Sequence, residues 1–155
     1  MISGFGAAGD DFSGDGGSDN LHGLGGDDLL YGGADADRVS GGLGDGTIIG
    51  GPGGGTLSGG LGADDFPCNP QEIGIDQITF YDADDRLLFV GIAPARVNAE
   101  QQGDDVKVAI GTGAQILVLG TVLDDLGRAF CLTKGGPKLI FSGRLAKNLL
   151  LAGFV

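Results

Sequence analysis

Large apolar residues recur at every ninth position near the start of the chain: Phe12, Leu21, Leu30, Val39, Ile48, Leu57 and Phe66. Two places before them stand Asp10, Asp19, Asp28, Asp37, Gly46, Gly55 and Asp64. Cut at this period, the chain reads FGAAGDDFS, GDGGSDNLH, GLGGDDLLY, GGADADRVS, GGLGDGTII, GGPGGGTLS and GGLGADDFP. Positions 1 to 6 are rich in glycine, as tight turns with positive φ and close backbone approach require. Positions 7 to 9 read as a short extended segment in which position 8 alone points inward. A strand of three residues cannot bury its side chain by itself. The pattern therefore predicts many short parallel strands stacked around one continuous core.

These nonapeptides resemble the RTX (hemolysin-type) repeat G-G-x-G-x-D-x-U-x over residues 5 to 67. The resemblance implies an all-β fold: a right-handed parallel β-roll of about seven repeats, followed by a β-strand capping region. Two repeats make one coil, so turns n and n+2 stack. It also implies Ca²⁺ as the ligand, with the position-6 aspartates as its side-chain partners. Ca²⁺ takes six to eight oxygens at roughly 2.3–2.6 Å, and one turn offers half of such a shell. On this reading Asp10 with Asp28, and Asp19 with Asp37, form two full sites. Asp64 is a further ligand, and the carbonyls of Gly14, Gly17, Gly23, Gly26 and Gly32 supply additional oxygens. The pairs Asp28/Gly46, Asp37/Gly55 and Gly46/Asp64 each lack one carboxylate, so these layers are expected to be weak or empty. If the imperfect first repeat slips by one, Asp11 replaces Asp10. Asp35 stands where position 4 is usually glycine, either distorting its turn or donating an extra oxygen.

Beyond Phe66 the nine-residue period fails. DQITFYDADDRLLFV, residues 76–90, reads as strand, acidic turn and strand, and residues 104–122 as a hairpin turning at Gly-Thr-Gly. RTX proteins carry a segment similar to D-x-I-x-D-F-x-x-x-D-x-L after the last repeat. Asp76, Ile78, Tyr81, Asp82, Asp85 and Leu87 approximate it. Asp76 is either part of an eighth, irregular turn or a surface carboxylate. The expected organisation is a calcium-binding roll over 1–67, a β-rich cap over 68–126 and a basic, apolar tail over 127–155. The tail ends in LLLAGFV, read either as a type I secretion signal or as a short element packed on the cap.

Composition sharpens this picture. Of 34 glycines, 23 fall within residues 1–66, together with eleven acidic side chains and a single basic one, Arg38. The net charge of −12 argues against nucleic acid and anionic membranes and towards cations as partners. No apolar run is long enough for a membrane span, and the opening MISGFGAAGDD has no features of a secretory leader. Cys68 and Cys131 are read as two separate thiols rather than a disulfide. No enzyme signature survives its context. GFGAAG has only three residues before it and is followed by DDFSGDGGSDN, which cannot start a helix; the glycine-rich turns lack a phosphate-loop lysine, and neither H-E-x-x-H nor G-x-S-x-G occurs. His22 is the only histidine and falls at an outward position 9. The function read from the sequence is thus calcium binding by a secreted, non-catalytic module whose folding is coupled to the ion. The alternatives are the C-terminal piece of a larger RTX enzyme, toxin or adhesin, and a degenerate structural solenoid.

Overall fold

Every strand between residues 11 and 68 begins at position 7 of a nonapeptide. The computed structural model describes residues 1–4, 6–69, 74–79, 84–93, 96–111, 114–120, 127–133 and 136–142. In one sheet the strands are as short as the repeat predicts: β2 (Asp11–Ser13), β4 (Leu29–Tyr31), β6 (Thr47–Ile49) and β8 (Asp65–Cys68). In the other they run for six residues: β3 (Asn20–Gly25), β5 (Arg38–Leu43) and β7 (Thr56–Leu61). There the pairing continues through the first three positions of the following repeat, with Leu24 opposite Gly42 and Leu43 opposite Leu61.

Neighbouring strands in each sheet pair in parallel at an offset of eighteen residues, so each coil consumes two nonapeptides. Leu21 faces Val39, Val39 faces Leu57, and Phe12 and Leu30 precede Ile48 in the other sheet. The fold is therefore the β-solenoid that the spacing implied. A further strand, β1 (Ile2–Ser3), pairs Ile2 with Leu21 at an offset of nineteen. The first coil thus contains one extra residue before Asp10.

The period does not fail after Phe66; it shifts phase. Strands β9 (Ile75–Thr79) and β10 (Arg86–Val90) add one more parallel rung to each sheet. Thr56 pairs with Gln77 and Asp65 with Arg86, an offset of twenty-one. Three residues have been inserted between Phe66 and Ile78. After them Asp76-x-Ile78 and Asp85-x-Leu87 again stand nine apart. The parallel stack consequently extends through Val90, beyond the boundary expected at residue 67. At the new rung a two-pronged ion pair joins Arg86 to Asp65, with N–O distances of 2.6 and 2.8 Å.

Position 8 does point inward. Leu21, Leu30, Val39, Ile48, Leu57, Phe66, Ile78 and Leu87 are all buried in one apolar cluster. The cluster continues into an antiparallel cap made by β11 (Val97–Gln102), β12 (Asp105–Ile110) and β13 (Ala114–Val118). In it alternate residues Val106, Val108 and Ile110 turn inward, as do Ile116 and Val118. The β12–β13 hairpin is the one predicted over 104–122. Strand β13 lies parallel beside β9, and β15 (Gly136–Ser142) covers β10 antiparallel, with β14 (Gly127–Thr133) outside it. Each parallel edge at this end is thereby covered by antiparallel strands, and the sheets end at β11 and β14. Tyr81, Asp82 and the terminal LLLAGFV lie outside the described residues.

The strand order β8, β10, β15, β14 places two strands between Cys68 and Cys131. At about 4.8 Å per strand their backbones are roughly 14 Å apart, twice the reach of a disulfide.

Because each strand contributes one buried side chain, single truncations should be costly. Ile48→Ala is expected to destabilise the fold by about 2–5 kcal/mol in chemical denaturation, since Ile48 is 1% exposed. Leu61→Ala, at 66% exposure, should change stability by less than about 0.5 kcal/mol.

Candidate metal centre

The position-6 residues form two columns. Asp10, Asp28, Gly46, Asp64 and Asp85 precede the strands of the seven-stranded sheet; Asp19, Asp37 and Gly55 precede those of the eight-stranded sheet, and Asp76 is the second residue of β9. Within each column the residue is clamped to its neighbour from both sides of the peptide. Its carbonyl accepts from the position-7 amide of the next coil, as Asp28 O does from Thr47 N at 2.7 Å and Asp37 O from Thr56 N at 2.8 Å. Its amide donates to the carboxylate of the next coil. Asp28 Oδ1 accepts from Asp10 N, Asp37 Oδ1 from Asp19 N, Asp64 Oδ1 from Gly46 N and Asp76 Oδ1 from Gly55 N, each at 2.8 Å. Asp85 Oδ1 accepts from Asp64 N at 2.9 Å.

The glycine pattern follows from this tight stacking. Position 2 has a positive φ in the six repeats from Gly14 onward, including Asp15 at 63° and Leu24 at 74°, a region costly for side chains other than glycine. Position 1 is a matter of space. A Cβ on Gly32 would lie 2.5 Å from Gly50 O of the next coil and 2.8 Å from Asp37 Oδ2.

That same point shows where the second carboxylate oxygen goes. Asp37 Oδ2 and Gly50 O converge at Gly32, and Asp28 Oδ2 and Gly41 O converge at Gly23. Asp10 Oδ2 and Gly23 O meet at Gly4, and Asp19 Oδ2 and Gly32 O at Gly14. Asp28 and Asp37 are 2% and 3% exposed, and their Oδ2 atoms have no hydrogen-bond donor. A buried carboxylate oxygen facing a carbonyl, with no donor, is strongly unfavourable unless positive charge joins it. The donor set is all hard oxygen, which fits Ca²⁺. No group of three or more His, Cys, Asp or Glu side chains gathers among the described residues. Any cation here must take backbone carbonyls as well as carboxylates.

Residues 13–48 match the family model of the RTX calcium-binding nonapeptide repeat, in four copies. Over that stretch the chain is similar to RTX repeats. A comparison with curated proteins gave no match. Stacked turns with the same clamp continue on both sides of the matched segment, down to Asp10 and up to Asp85.

The ligands expected from the sequence distribute as follows. Asp10 and Asp28 share one turn pair and Asp19 and Asp37 another, while Asp64 stacks over Gly46. Asp76 is buried at 5% exposure and stacks over Gly55, so it belongs to an eighth stacked turn and is not a surface carboxylate. Asp11 falls in β2 at position 7, exposed and opposite Leu29. The first-repeat slip occurs before Asp10, which leaves Asp10 at position 6. Gly23 and Gly32 present carbonyls to the Asp10 and Asp19 carboxylates. Gly26 O instead converges with Asp27 Oδ1 at Gly44, and Gly14 and Gly17 meet the next coil through their amides. Asp35 takes φ 75° and its Oδ2 accepts from Gly17 N at 3.2 Å.

Three further acidic residues take part in the stacked turns without having been expected there. Asp85 was legible as the ninth residue after Asp76. Asp27 and Asp45, eighteen apart at position 5, build an exposed outer ladder: Asp27 Oδ1 accepts from Asp45 N and Asp45 Oδ1 from Ala63 N, both at 2.9 Å. Burial raises the Asp76 carboxyl to about 6; its bond from the Gly55 amide opposes the shift and the Asp37 charge adds to it. Burial first, and then the Asp76 charge, push the Cys68 thiol upward, so it stays protonated and unreactive.

The two carboxylate-free positions are not equivalent. A Cβ at Gly46 would stand 3.0 Å from Asp64 Oδ1, 3.3 Å from Ile48 Cδ1 and 3.6 Å from Asp28 O, whereas one at Gly55 would stand 2.6 Å from Asp37 O, a backbone atom. In saturating calcium, Gly46→Asp should be accommodated without loss of melting temperature. Gly55→Asp should cost about 1–3 kcal/mol through the forced backbone shift. A second expectation concerns pH. With its folded pKa near 6 against an ordinary 3.8, Asp76 holds its proton longer in the folded state than in the unfolded one. Its contribution therefore weakens the fold as pH rises from about 4 through 6. In chelator, melting at pH 5 minus melting at pH 7 should be smaller for Asp76→Asn than for the parent chain.

Proposed function

We propose that this chain is a non-catalytic calcium-binding β-roll whose folding is coupled to calcium and which works outside the cell. The observation carrying this reading is the pair of buried Oδ2 atoms on Asp28 and Asp37, each facing a turn carbonyl with no donor. Calcium supplies the positive charge that such converging oxygens lack. The chain's own residues do the rest. The Asp10/Asp28 and Asp19/Asp37 turns preorganise carboxylates and carbonyls through the amide clamps, and Asp64 and Asp76 extend the columns toward the cap. Residues 1–66 carry eleven acids and one Arg, a net −10, so without cations the coils repel one another. Binding energy then appears directly as folding energy. The functional unit on this reading is a roll through Val90 closed by the antiparallel strands. RTX chains are typically exported to calcium-rich surroundings, the setting in which this coupling operates. Among the described residues no helix is long and apolar enough to cross a membrane.

A second reading is favoured by the amide clamps. Oδ1 of Asp28, Asp37, Asp64, Asp76 and Asp85 already holds a neighbouring coil without any metal, as a purely structural solenoid would require. Circular dichroism through a calcium titration from excess chelator separates the two. Coupled folding predicts that strand signal grows with calcium and saturates; a full strand signal in chelator contradicts it and supports the structural solenoid.

A further inference from the structure

We infer that the two layers lacking a second aspartate, Asp28 with Gly46 and Asp37 with Gly55, are themselves cation sites. In each, the free aspartate oxygen and the position-1 carbonyl of the next coil are the protein ligands. The inference rests on the calcium reading above and adds two sites to the Asp10/Asp28 and Asp19/Asp37 pairs. Counting carboxylates per pair of turns marks these layers as deficient. That count assumes that both oxygens of an aspartate serve the same layer, and the structure divides them. Oδ1 of Asp28 reaches back to the Asp10 amide, while its Oδ2 sits beside Gly23, at the point that Gly41 O also abuts. Asp37 is divided in the same way between the Asp19 amide and the point at Gly32 that Gly50 O abuts.

The missing side chain at residue 46 or 55 therefore removes the Oδ1 of a clamp and leaves the Oδ2 and carbonyl in place. Two buried carboxylate oxygens without a donor lie in these layers. Asp28 and Asp37, at 2% and 3% exposure, hold Oδ2 atoms without a hydrogen-bond donor. Two lone-pair-bearing oxygens brought together in a buried turn call for a hard cation between them. Oxygen ligands alone select a calcium-like divalent ion over a soft metal.

The test is anomalous scattering from calcium in crystals of the parent chain, read beside the number of ions bound per chain at saturation in solution. No bound calcium by either measurement defeats the underlying reading as well, which distinguishes the two failures. One peak is expected where Asp28 Oδ2 meets the Gly41 carbonyl and another where Asp37 Oδ2 meets the Gly50 carbonyl. Peaks confined to the Asp10/Asp28 and Asp19/Asp37 turns overturn the inference.

Discussion

The structure depends on how closely one coil lies on the next at the position-6 residue. There the peptide carbonyl accepts from the following coil, and the peptide amide donates to that coil's carboxylate. Both bonds are near 2.8 Å in the Asp10–Asp28 and Asp19–Asp37 pairs. This double clamp holds the coils together, and the eighteen-residue offset places Leu21, Val39 and Leu57 in one file and Leu30, Ile48 and Phe66 in another. A strand with one buried side chain has no stability of its own, so the fold is a sum of such neighbour contacts.

The same closeness creates the site. Coils this near leave no room for a Cβ at position 1 and demand a left-handed turn at position 2. Glycine at those positions exposes carbonyl oxygens to the layer between coils. One carboxylate oxygen is consumed by the clamp and the other is turned toward those carbonyls. Structure and binding thus draw on different atoms of the same aspartate. A position-6 glycine consequently removes a clamp from one layer while the oxygens of that layer, donated from below, remain.

Much of this was readable in the sequence because both constraints recur with the same period. The spacing of Phe12 to Phe66 dictated the parallel stack and its core, and the aspartates in phase with it marked the turns. What the spacing concealed were departures from phase. One extra residue before Asp10 and three after Phe66 hide β1, β9 and β10, although Asp76-x-Ile78 and Asp85-x-Leu87 restore the motif. An insertion in a turn costs little because loop closure entropy grows slowly with length, so the stack resumes beyond it. The inequivalence of Gly46 and Gly55 was invisible for another reason: it lies in a backbone distance of 3.6 against 2.6 Å that residue type does not encode. The division of labour between Oδ1 and Oδ2 was equally hidden, since it needs the coils in place.

The central claim is that position-6 carboxylates hold the coil before them through its amide. Residue-resolved hydrogen exchange of the Gly46 and Gly55 amides, in the parent chain and in Asp64→Ala, tests it most directly. Both amides should exchange slowly in the parent chain, since Asp64 and Asp76 accept from them. Asp64→Ala should accelerate Gly46 while leaving Gly55 protected. Rapid exchange of both amides in the parent chain, or a Gly46 amide indifferent to the loss of Asp64, would contradict the account.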